Sequence, residues 1–373
     1  MKKNIAYIIS SVNKSFAFEW IVNHIDTSKF NLTFILLNDT FSPFEEFLLK
    51  KNIPTFRVNY KEKKDIPAAI FKTIKLLKSN KIKIVHCHLF EACLVGLTAA
   101  KIVGIKKRIH TRHNATIHHQ YHPKAVKYDK LINFLSTNII AISENVKNIL
   151  VEMEHVNPKK ITLIHHGFDF NYFENISQER VDAVIKRHCF DSKPTYPTIG
   201  VISRYIHWKG VQYIIPAFKE ILQEFPNAHL ILANAEGPYT AEIKTLLQEL
   251  PKNSFTEIHF EDDIFALYKL FDVFIHTPID EKSEAFGQVY IETMASEIPS
   301  IVTLSGVAPE FINNKENALV VPFKNFLAIV NALDEMLKNK SLQESIIFNG
   351  KNKVLKLFDI TTMVQKLSEL YDK

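Results

Sequence analysis

The sequence predicts an α/β protein with two doubly wound domains, each built around a parallel sheet. Its 373 residues exceed one ordinary domain and suit two. Short β-branched apolar runs alternate with longer amphipathic segments, and this alternation is typical of parallel sheets covered by helices on both faces. The segment Asp191–Pro197 carries two prolines and no apolar periodicity, so we place the domain boundary within Asn171–Tyr196.

Thirteen segments have the composition of buried strands. Those of the first half are Ile5–Ser10, Leu32–Leu37, Thr55–Val58, Ile82–His86, Arg108–Thr111, Ile139–Ile142 and Ile161–His165. Those of the second half are Thr198–Ser203, His229–Ala233, Glu257–Phe260, Val273–His276, Ser300–Thr303 and Ala318–Val321. Apolar residues at helical spacing predict helices at Ile66–Leu77, Ala92–Val103 and Thr361–Leu370. The predicted domains are residues 1–180 and 190–355, and residues 356–373 form a C-terminal helix that packs back on the first domain.

The composition indicates the cellular compartment in which the protein is expected. The hydrophobic fraction is 46% and the charged fraction is 23%, as in soluble globular proteins. No run approaches the roughly 18 apolar residues of a membrane helix, and the N-terminus has no secretory pattern. Three scattered cysteines argue against a disulfide framework. We therefore expect a cytoplasmic protein, with peripheral association at the inner face of the cell membrane as a further expectation.

The stretch Lys101–Lys130 is locally basic. Its cations, set against Asp129 alone, are Lys101, Lys106, Lys107, Arg108, Arg112, Lys124, Lys127 and Lys130. Such a surface attracts phosphates, on an anionic membrane or on a nucleic acid. A solvated face with a lysine bias explains the pattern equally well. We expect no nucleic-acid binding, because interleaved surface aromatic residues and known motifs are missing.

Two segments of the second half have the residue types of a phosphate and sugar site. Glu284 and Glu292 lie eight residues apart, around a helix predicted to begin near Gly287. Helix N-termini bind phosphate, and carboxylates accept hydrogen bonds from sugar hydroxyls. Arg204, Lys209 and Gly210 follow the first strand of this half, and cations at a strand end suit a diphosphate. The alternative interpretation is purely structural: the two glutamates are a helix-capping acid and a surface acid, and the arginine and lysine are solvated bases in a loop.

In this order and spacing, these elements resemble the retaining glycosyltransferases of family four, which have the GT-B fold of two Rossmann-like domains facing across a cleft. In the second domain the matching segments are Arg204 with Lys209 and Gly210 (R…KG), Glu284–Glu292 (E-x7-E), Ser305–Glu310 and Asn317–Val320. In the first domain they are Ile84–His88, His110–His113, Ala141–Glu144 and His166–Asp169. The sequence departs from the family at Ser10–Lys14, where a Gly-Gly pair is usual, and at Asn234–Gly237, where G-x-G is usual.

The resemblance implies a role for each matching residue. Arg204 and Lys209, with Gly210, are expected to neutralise the donor diphosphate and stabilise it as it leaves. Glu284 is expected to hold the transferred sugar, and Glu292 the ribose hydroxyls. His113 is expected to line the sugar pocket from the first domain. Further donor contacts are expected at Phe286, Gly287 and Gln288, and acceptor-side or donor-loop contacts at Ser11, Asn13 and His88.

The implied activity is transfer of a hexose or N-acetylhexosamine from a nucleotide-diphosphate sugar. A UDP-sugar is favoured and a GDP-sugar stays open. The acceptor is a glycan or a lipid-linked oligosaccharide, in synthesis of cell-surface polysaccharide or lipopolysaccharide. The alternative is a non-catalytic nucleotide-sugar-binding protein on the same fold.

The histidines allow a metal interpretation, because His118 and His122 are four residues apart and His86 and His88 share one face of a strand. A third ligand is not evident, and no D-x-D sequence occurs. We therefore expect no cofactor and a metal-independent enzyme, in which Arg204 and Lys209 take the place of a divalent ion.

Overall fold

The computed structural model describes residues 2–188 and 196–373. Cys189 and most of the segment used to place the domain boundary lie outside the described residues. The chain divides into two compact units. The first runs to Phe168 and also contains Ile360–Lys373, and the second is Asp169–Asp359. Residues 169–180 therefore lie in the second unit, whereas the predicted first domain ran to residue 180.

The first unit is a seven-stranded parallel sheet with the strand order β3-β2-β1-β4-β5-β6-β7. Its strands are β1 Lys3–Ser10, β2 Phe30–Leu37, β3 Thr55–Val58, β4 Ile84–His88, β5 Lys107–Arg112, β6 Asn138–Ala141 and β7 Ile161–Leu163. Its helices are α1 Phe16–His24, α2 Pro43–Lys50, α3 Ile66–Ser79, α4 Phe90–Val103, α5 Ile117–Tyr121, α6 Val126–Leu135, α7 Glu144–Asn148 and, from the chain end, α15 Ile360–Asp372.

The second unit is a six-stranded parallel sheet with the strand order β10-β9-β8-β11-β12-β13. Its strands are β8 Thr198–Ile202, β9 His229–Ala233, β10 Phe255–Ile258, β11 Val273–His276, β12 Ser300–Val302 and β13 Leu319–Val320. Its helices are α8 Gln178–Arg187, α9 Val211–Glu224, α10 Thr240–Leu247, α11 Ile264–Tyr268, α12 Gln288–Ala295, α13 Phe326–Lys338 and α14 Lys340–Leu357.

The predicted α/β class and all thirteen predicted strands are confirmed. The bounds of five strands differ from the prediction by two residues. β1 and β2 begin earlier than predicted, and β7 ends earlier. β4 begins and ends later, so that it includes His88, and β10 begins and ends earlier. Over the described ranges, no helix combines the length and apolar character needed to cross a bilayer.

Apolar side chains cover both faces of each sheet. In the second unit, one cluster joins the sheet to α9 and α13, for example through Phe218 and Leu333. Another joins the opposite face to α8 and α11, through Val184 and Leu267. Because both faces are buried, polar side chains are excluded from the middle of the strands and gather at the strand ends.

The strand order reverses between β1 and β4 in the first sheet and between β8 and β11 in the second. In doubly wound sheets, ligands bind beyond the carboxyl ends of the strands at such a reversal. In the first unit, Ser11, Asn13 and His88 lie at this position. In the second unit, the loops after β8 and β11 carry Lys209 and Glu284. The topology therefore gathers the predicted site residues of each unit at one edge of its sheet.

Candidate functional site

The loop between β8 and α9 contacts the loop after β11 at Gly210. This glycine has a φ of +78°, and a Cβ atom there would lie 1.8 Å from the carbonyl oxygen of Thr277. Any other residue would push the two loops apart. Next to it, the Lys209 ammonium lies 4.5 Å from the centre of the Trp208 ring, a cation–π contact. Gly210 thus allows Lys209 to approach the β11 loop.

Asp280 shapes the loop after β11. One of its carboxylate oxygens accepts hydrogen bonds from the backbone N–H groups of Lys282 and Ser283, at 2.9 and 2.7 Å. Thr303, after β12, donates its hydroxyl to the carbonyl oxygen of Pro278 at 2.8 Å. These bonds tie the loop to the neighbouring strand end and fix the position of the following Glu284.

Glu284 is the charged centre of this edge. Its Oε2 accepts a hydrogen bond from Lys209 Nζ at 2.6 Å and one from His276 Nε2 at 3.3 Å. Its backbone N–H donates to Ser305 Oγ at 3.3 Å. Burial by itself raises the pKa of the Glu284 carboxyl, but attraction to Lys209 and the bond from His276 outweigh it and lower the pKa to about 2. Glu284 is therefore an ionised carboxylate at neutral pH.

Helix α12 begins at Gln288, directly after Gly287, as the sequence predicts. Gly287 has a φ of +85°, and a Cβ atom there would lie 2.4 Å from the Tyr290 ring. Phe286 is buried, with its ring perpendicular to that of Phe358, while Gln288 is exposed. The first turn of a helix has backbone N–H groups without partners within the helix, and its dipole favours anions. The α12 N-terminus thus lies beside Glu284.

Glu292 has a separate environment on α12. Its Oε2 accepts a hydrogen bond from the Tyr268 hydroxyl at 2.7 Å. Burial raises the pKa of the Glu292 carboxyl, and the bond from Tyr268 acts in the opposite direction. The structure therefore gives the two glutamates different partners: a cation for Glu284 and a phenol for Glu292.

Arg204 lines an open pocket of about 620 Å³ beyond the ends of β8, β9 and β10. The other lining residues are Asn234, Glu236, Gly237, Pro238 and His259. Arg204 is exposed, and among the described residues no side chain forms an ion pair with its guanidinium. The structure thus joins Lys209 to Glu284 and places Arg204 in a pocket formed by the Asn234–Gly237 segment, which departs from the family sequence.

In the first unit, histidines from β4, β5 and the β7 loop meet. His88 Nδ1 and His113 Nε2 are 3.0 Å apart, and the rings of His113 and His166 stack with centroids 5.5 Å apart. The His86 and His88 rings lie on one face, 4.1 Å apart. Cys87 points to the other face, where its sulfur lies against Gly96 of α4. His88 and His113 are thus direct neighbours.

These histidines are neutral at pH 7. Burial is the main cause: it lowers the pKa of His86 to about 3, that of His113 to about 4 and that of His166 to about 3. His88 has its pKa lowered in the same direction, by burial and then by its histidine neighbours. A neutral imidazole has one donor and one acceptor nitrogen, so the cluster supplies hydrogen bonds without net charge.

The loop after β1 is held by Asn38. The Asn38 side chain accepts from the backbone N–H of Val12 at 3.2 Å and donates to the Val12 carbonyl at 2.7 Å. Ser11 and Asn13, on either side, are exposed. The clamp therefore presents both side chains at the same sheet edge as His88.

The two arginines of the Lys101–Lys130 stretch do not belong to the predicted basic surface. Arg112 is buried and forms ion pairs with Asp129 and Glu154, at 2.8 and 2.6 Å. Arg108 donates its guanidinium to backbone carbonyls, including that of Leu135 at 2.7 Å. Neither arginine belongs to an open cationic face. The exposed cations of the stretch are Lys101, Lys106, Lys124, Lys127 and Lys130.

Of the histidines considered as metal ligands, His118 has a carboxylate partner, and so does its neighbour His119. His118 Nδ1 lies 2.6 Å from Asp129, and His119 Nε2 lies 3.2 Å from Glu154. Within residues 2–188 and 196–373, no three His, Cys, Asp or Glu side chains are arranged to hold a metal ion.

Sequence reasoning missed two partners of the glutamates. His276 is the one polar residue of the strand β11 and stands at its carboxyl end, a pattern that marks it as a site residue. Tyr268, at the end of α11, had no such signal, because its link to Glu292 depends on how two helices pack.

Two family models match the chain, one for each part of it. The model described as Glycosyl transferases group 1 matches residues 185–353, and the model described as Glycosyltransferase Family 4 matches residues 21–172. Together they span most of the chain. The fold and the two matches define a glycosyltransferase of the GT-B type. The chain belongs to glycosyltransferase family 4.

Two relatives of the chain are named as bacterial glycosyltransferases. The chain is 26% identical over 315 residues to the capsular polysaccharide biosynthesis glycosyltransferase CapM of Staphylococcus aureus, covering 82% of this chain and 80% of CapM. It is 24% identical over 328 residues to the UDP-Gal:alpha-D-GlcNAc-diphosphoundecaprenol alpha-1,3-galactosyltransferase of Escherichia coli, covering 86% and 82%.

Solved structures share the fold over the full length. A glycosyltransferase of Rickettsia africae superimposes with a TM-score of 0.80 at 22% identity, covering 100% of this chain and 98% of that one. The Anabaena protein HepE in complex with UDP-glucose superimposes with a TM-score of 0.83 at 18% identity, covering 99% of both chains. The similarity of these structures confirms the GT-B class.

Proposed function

We propose that the protein is a configuration-retaining glycosyltransferase that moves a hexose or N-acetylhexosamine from a UDP-sugar to a glycan or lipid-linked acceptor in cell-surface polysaccharide synthesis. The observation that carries the proposal is the 2.6 Å contact between Lys209 and Glu284 at the strand reversal of the second sheet. The names of the E. coli relative and of the HepE complex, both of which include a UDP-sugar, support the choice of UDP over GDP.

Lys209 links the two parts of the donor in this proposal. An ammonium has three N–H donors, and one of them is on Glu284. The other two are available for diphosphate oxygens, whose charge grows as the glycosidic bond breaks. A cation already in place at that moment stabilises the transition state more than the ground state. Glu284, kept ionised, accepts hydrogen bonds from the hydroxyls of the transferred sugar.

Retention is proposed because of how Glu284 is held. Its carboxylate is bound by Lys209 and His276, and its low pKa makes it a weak nucleophile and a good hydrogen-bond acceptor. Donor departure and acceptor attack then occur on the same face of the sugar. Proton NMR of the fresh product gives the test. We expect the donor's anomeric configuration in the product, and an inverted product would contradict this part of the proposal.

A thermal-shift screen tests the donor class. UDP, GDP, ADP, CMP and their common sugar conjugates are each added to the full chain. A ligand at 100 times its Kd adds about 2.7 kcal/mol to the free energy of unfolding, which is easily measured. We expect the largest shift with UDP and its sugars, and a smaller one in Lys209→Ala. A protein that responds to none of them, or that binds UDP-sugars but transfers no sugar to any acceptor, would favour a non-catalytic role.

We also propose that the reaction needs no metal ion, because Arg204 and Lys209 supply positive charge where a divalent ion would otherwise be needed. Turnover in excess EDTA is the measurement. We expect an unchanged rate, and a rate that falls in EDTA and returns with Mg²⁺ or Mn²⁺ would contradict the proposal.

An anionic membrane is the proposed partner surface of the first unit. Helices α4 and α6 pack against each other and expose apolar and basic side chains together. Phe134 is 76% exposed and Ile102 is 62% exposed, with Lys101, Lys127 and Lys130 on the same two helices. Exposed apolar side chains on helices that also expose lysines suit a lipid interface. Flotation with vesicles should show a preference for anionic lipid that Phe134→Ser weakens, and equal binding to neutral vesicles would contradict it.

A further inference from the structure

We propose that a pocket in the first unit binds a lipid phosphate, meaning a phosphate group carried on an isoprenoid chain. We call it the lateral pocket. It has a volume of about 750 Å³ and is lined by residues of the first unit alone. This volume is within the range of about 300–1,000 Å³ typical of small-molecule sites. The inference rests on the proposed function, because it assigns the acceptor to the lipid-linked class.

The walls of the lateral pocket are apolar. Ile66 begins α3, Phe90 and Leu94 lie on the first turns of α4, and Tyr121 and Tyr128 also line the pocket. The rings of Phe90 and Tyr128 meet edge to face with centroids 6.2 Å apart. An aliphatic chain between these walls would be stabilised by the removal of its apolar surface from water.

The two tyrosines leave the pocket open. Tyr121 is 45% exposed and Tyr128 is 52% exposed, although both border apolar side chains that could bury them. Large exposed aromatic residues around a concave apolar surface mark binding sites on soluble proteins. A chain that enters between them would cover surface that the fold leaves in water.

The rim of the pocket is cationic. Lys63 and Lys124 line it, together with His118 and His122. Glu91 is the one acidic residue in the lining. This charge suits a phosphate at the mouth of an apolar cavity, because phosphate oxygens form strong charge-assisted hydrogen bonds with ammonium groups. A neutral lipid would form no such bond with Lys63 or Lys124.

His118 is fixed in a defined orientation. Its Nδ1 lies 2.6 Å from Asp129, a carboxylate that is 1% exposed and also bound to Arg112. With Nδ1 donated to the carboxylate, Nε2 is the ring nitrogen left for a ligand of the pocket. The chain Arg112–Asp129–His118 thus supports one wall of the lateral pocket.

The test measures binding of farnesyl phosphate, below its micelle concentration, to the full chain by calorimetry. Farnesol, which lacks the phosphate, and inorganic phosphate, which lacks the chain, are the ligand controls. The variants are Lys124→Glu and Tyr128→Ala, whose exposed side chains can be changed without disturbing the core. The matched control is Lys101→Glu, an exposed lysine of the same unit outside the pocket lining.

We expect farnesyl phosphate to bind at least about tenfold more tightly than farnesol or inorganic phosphate, since each control lacks one of the two groups that the pocket is proposed to bind. Lys124→Glu and Tyr128→Ala should each weaken binding about tenfold, and Lys101→Glu should not. Equal binding in all variants, or equal binding of farnesol, would overturn the inference. The UDP thermal shift is recorded in parallel: its loss without loss of farnesyl phosphate binding would count against the proposed function and leave the lateral pocket in place.

Discussion

The two sheets have the same topology at the point where the strand order reverses, but the charges of the side chains there differ. In the first unit the edge is occupied by histidines, of which His86, His113 and His166 have their pKa lowered to about 3–4. In the second unit the same edge holds the ion pair of Lys209 with Glu284. The strand order fixes where a site forms, while the side chains at the strand ends decide its charge. One edge suits neutral hydroxyl groups, and the other suits a ligand whose charge changes during reaction.

Removing the carboxylate should have the largest effect on the charged edge. We expect Glu284→Ala to abolish sugar transfer while leaving nucleotide affinity nearly unchanged, because the carboxylate is assigned to the sugar. Radiolabelled sugar transfer and UDP titration measure the two quantities. Glu281→Ala, an exposed glutamate of the same loop, is the matched control. Wild-type transfer by Glu284→Ala would be incompatible with the assigned site.

Removing a cation should have the next largest effect. Lys209→Ala and Arg204→Ala should each lower kcat by about 10²–10³-fold, as loss of one preorganised charge-stabilising group typically does. Steady-state kinetics at saturating donor gives the value. Lys219→Ala, which removes a surface ammonium paired with Glu249, should keep the wild-type kcat. A change confined to KM would mean that these cations bind the ground state and the transition state equally.

Acid should weaken the neutral edge. A histidine whose folded pKa lies below its unfolded value of about 6.5 takes up its proton only on unfolding. The stability it provides is complete above pH 6.5 and is lost as the pH falls toward its folded pKa, about 4 for His113 and about 3 for His166. Each such group lowers the free energy of unfolding by about 1.4 kcal/mol for each pH unit of acidification in that window.

Urea unfolding between pH 7.5 and pH 5 measures this dependence. His166→Gln should lower the number of protons taken up on unfolding, given by the slope of the free energy of unfolding against pH, by about one. His259→Gln, which changes an exposed histidine of the second unit, is the control. A free energy of unfolding that is constant across this range would show that the histidines do not titrate as proposed.

The smallest expected effect concerns Glu292. Glu292→Gln keeps the shape of the side chain but removes the charge that is proposed to bind the ribose diol. We expect about a tenfold increase in the Kd of UDP, equivalent to about 1.4 kcal/mol, with kcat nearly unchanged. An unchanged Kd would show that the Tyr268 bond, at 2.7 Å, is the main role of this carboxylate.

The sheets were predictable because buried strands are short, continuous runs of apolar residues, whereas helices space their apolar residues three or four positions apart. All thirteen were predicted, and the errors are at their ends, where pairing decides the length. β4 extends to His88 because it pairs with β1 as far as Ile9. Such a pairing partner lies some eighty positions away in the chain, beyond the reach of local patterns.

Motif order names the candidate site residues but does not predict their contacts. Arg204, Lys209 and Glu284 follow from motif order, but the structure pairs only Lys209 with Glu284, across 75 residues. Arg112 shows the opposite failure. Its neighbours in sequence are basic, and yet Asp129 and Glu154 bury it as an ion pair. Charge counted along a sequence does not distinguish a surface from a buried network.

The return of α15 to the first unit has a consequence for biosynthesis. Tyr371 bonds to Tyr7 and His86, at 2.5 and 2.7 Å, and Lys3 donates to the backbone carbonyls at the end of this helix. A ribosome releases Tyr7 some 360 residues before it adds Tyr371. Until the second unit has been translated, the Tyr7 hydroxyl and the His86 ring of the nascent first unit lack the Tyr371 hydroxyl as a hydrogen-bond partner. Synthesis of α15 therefore completes the first unit.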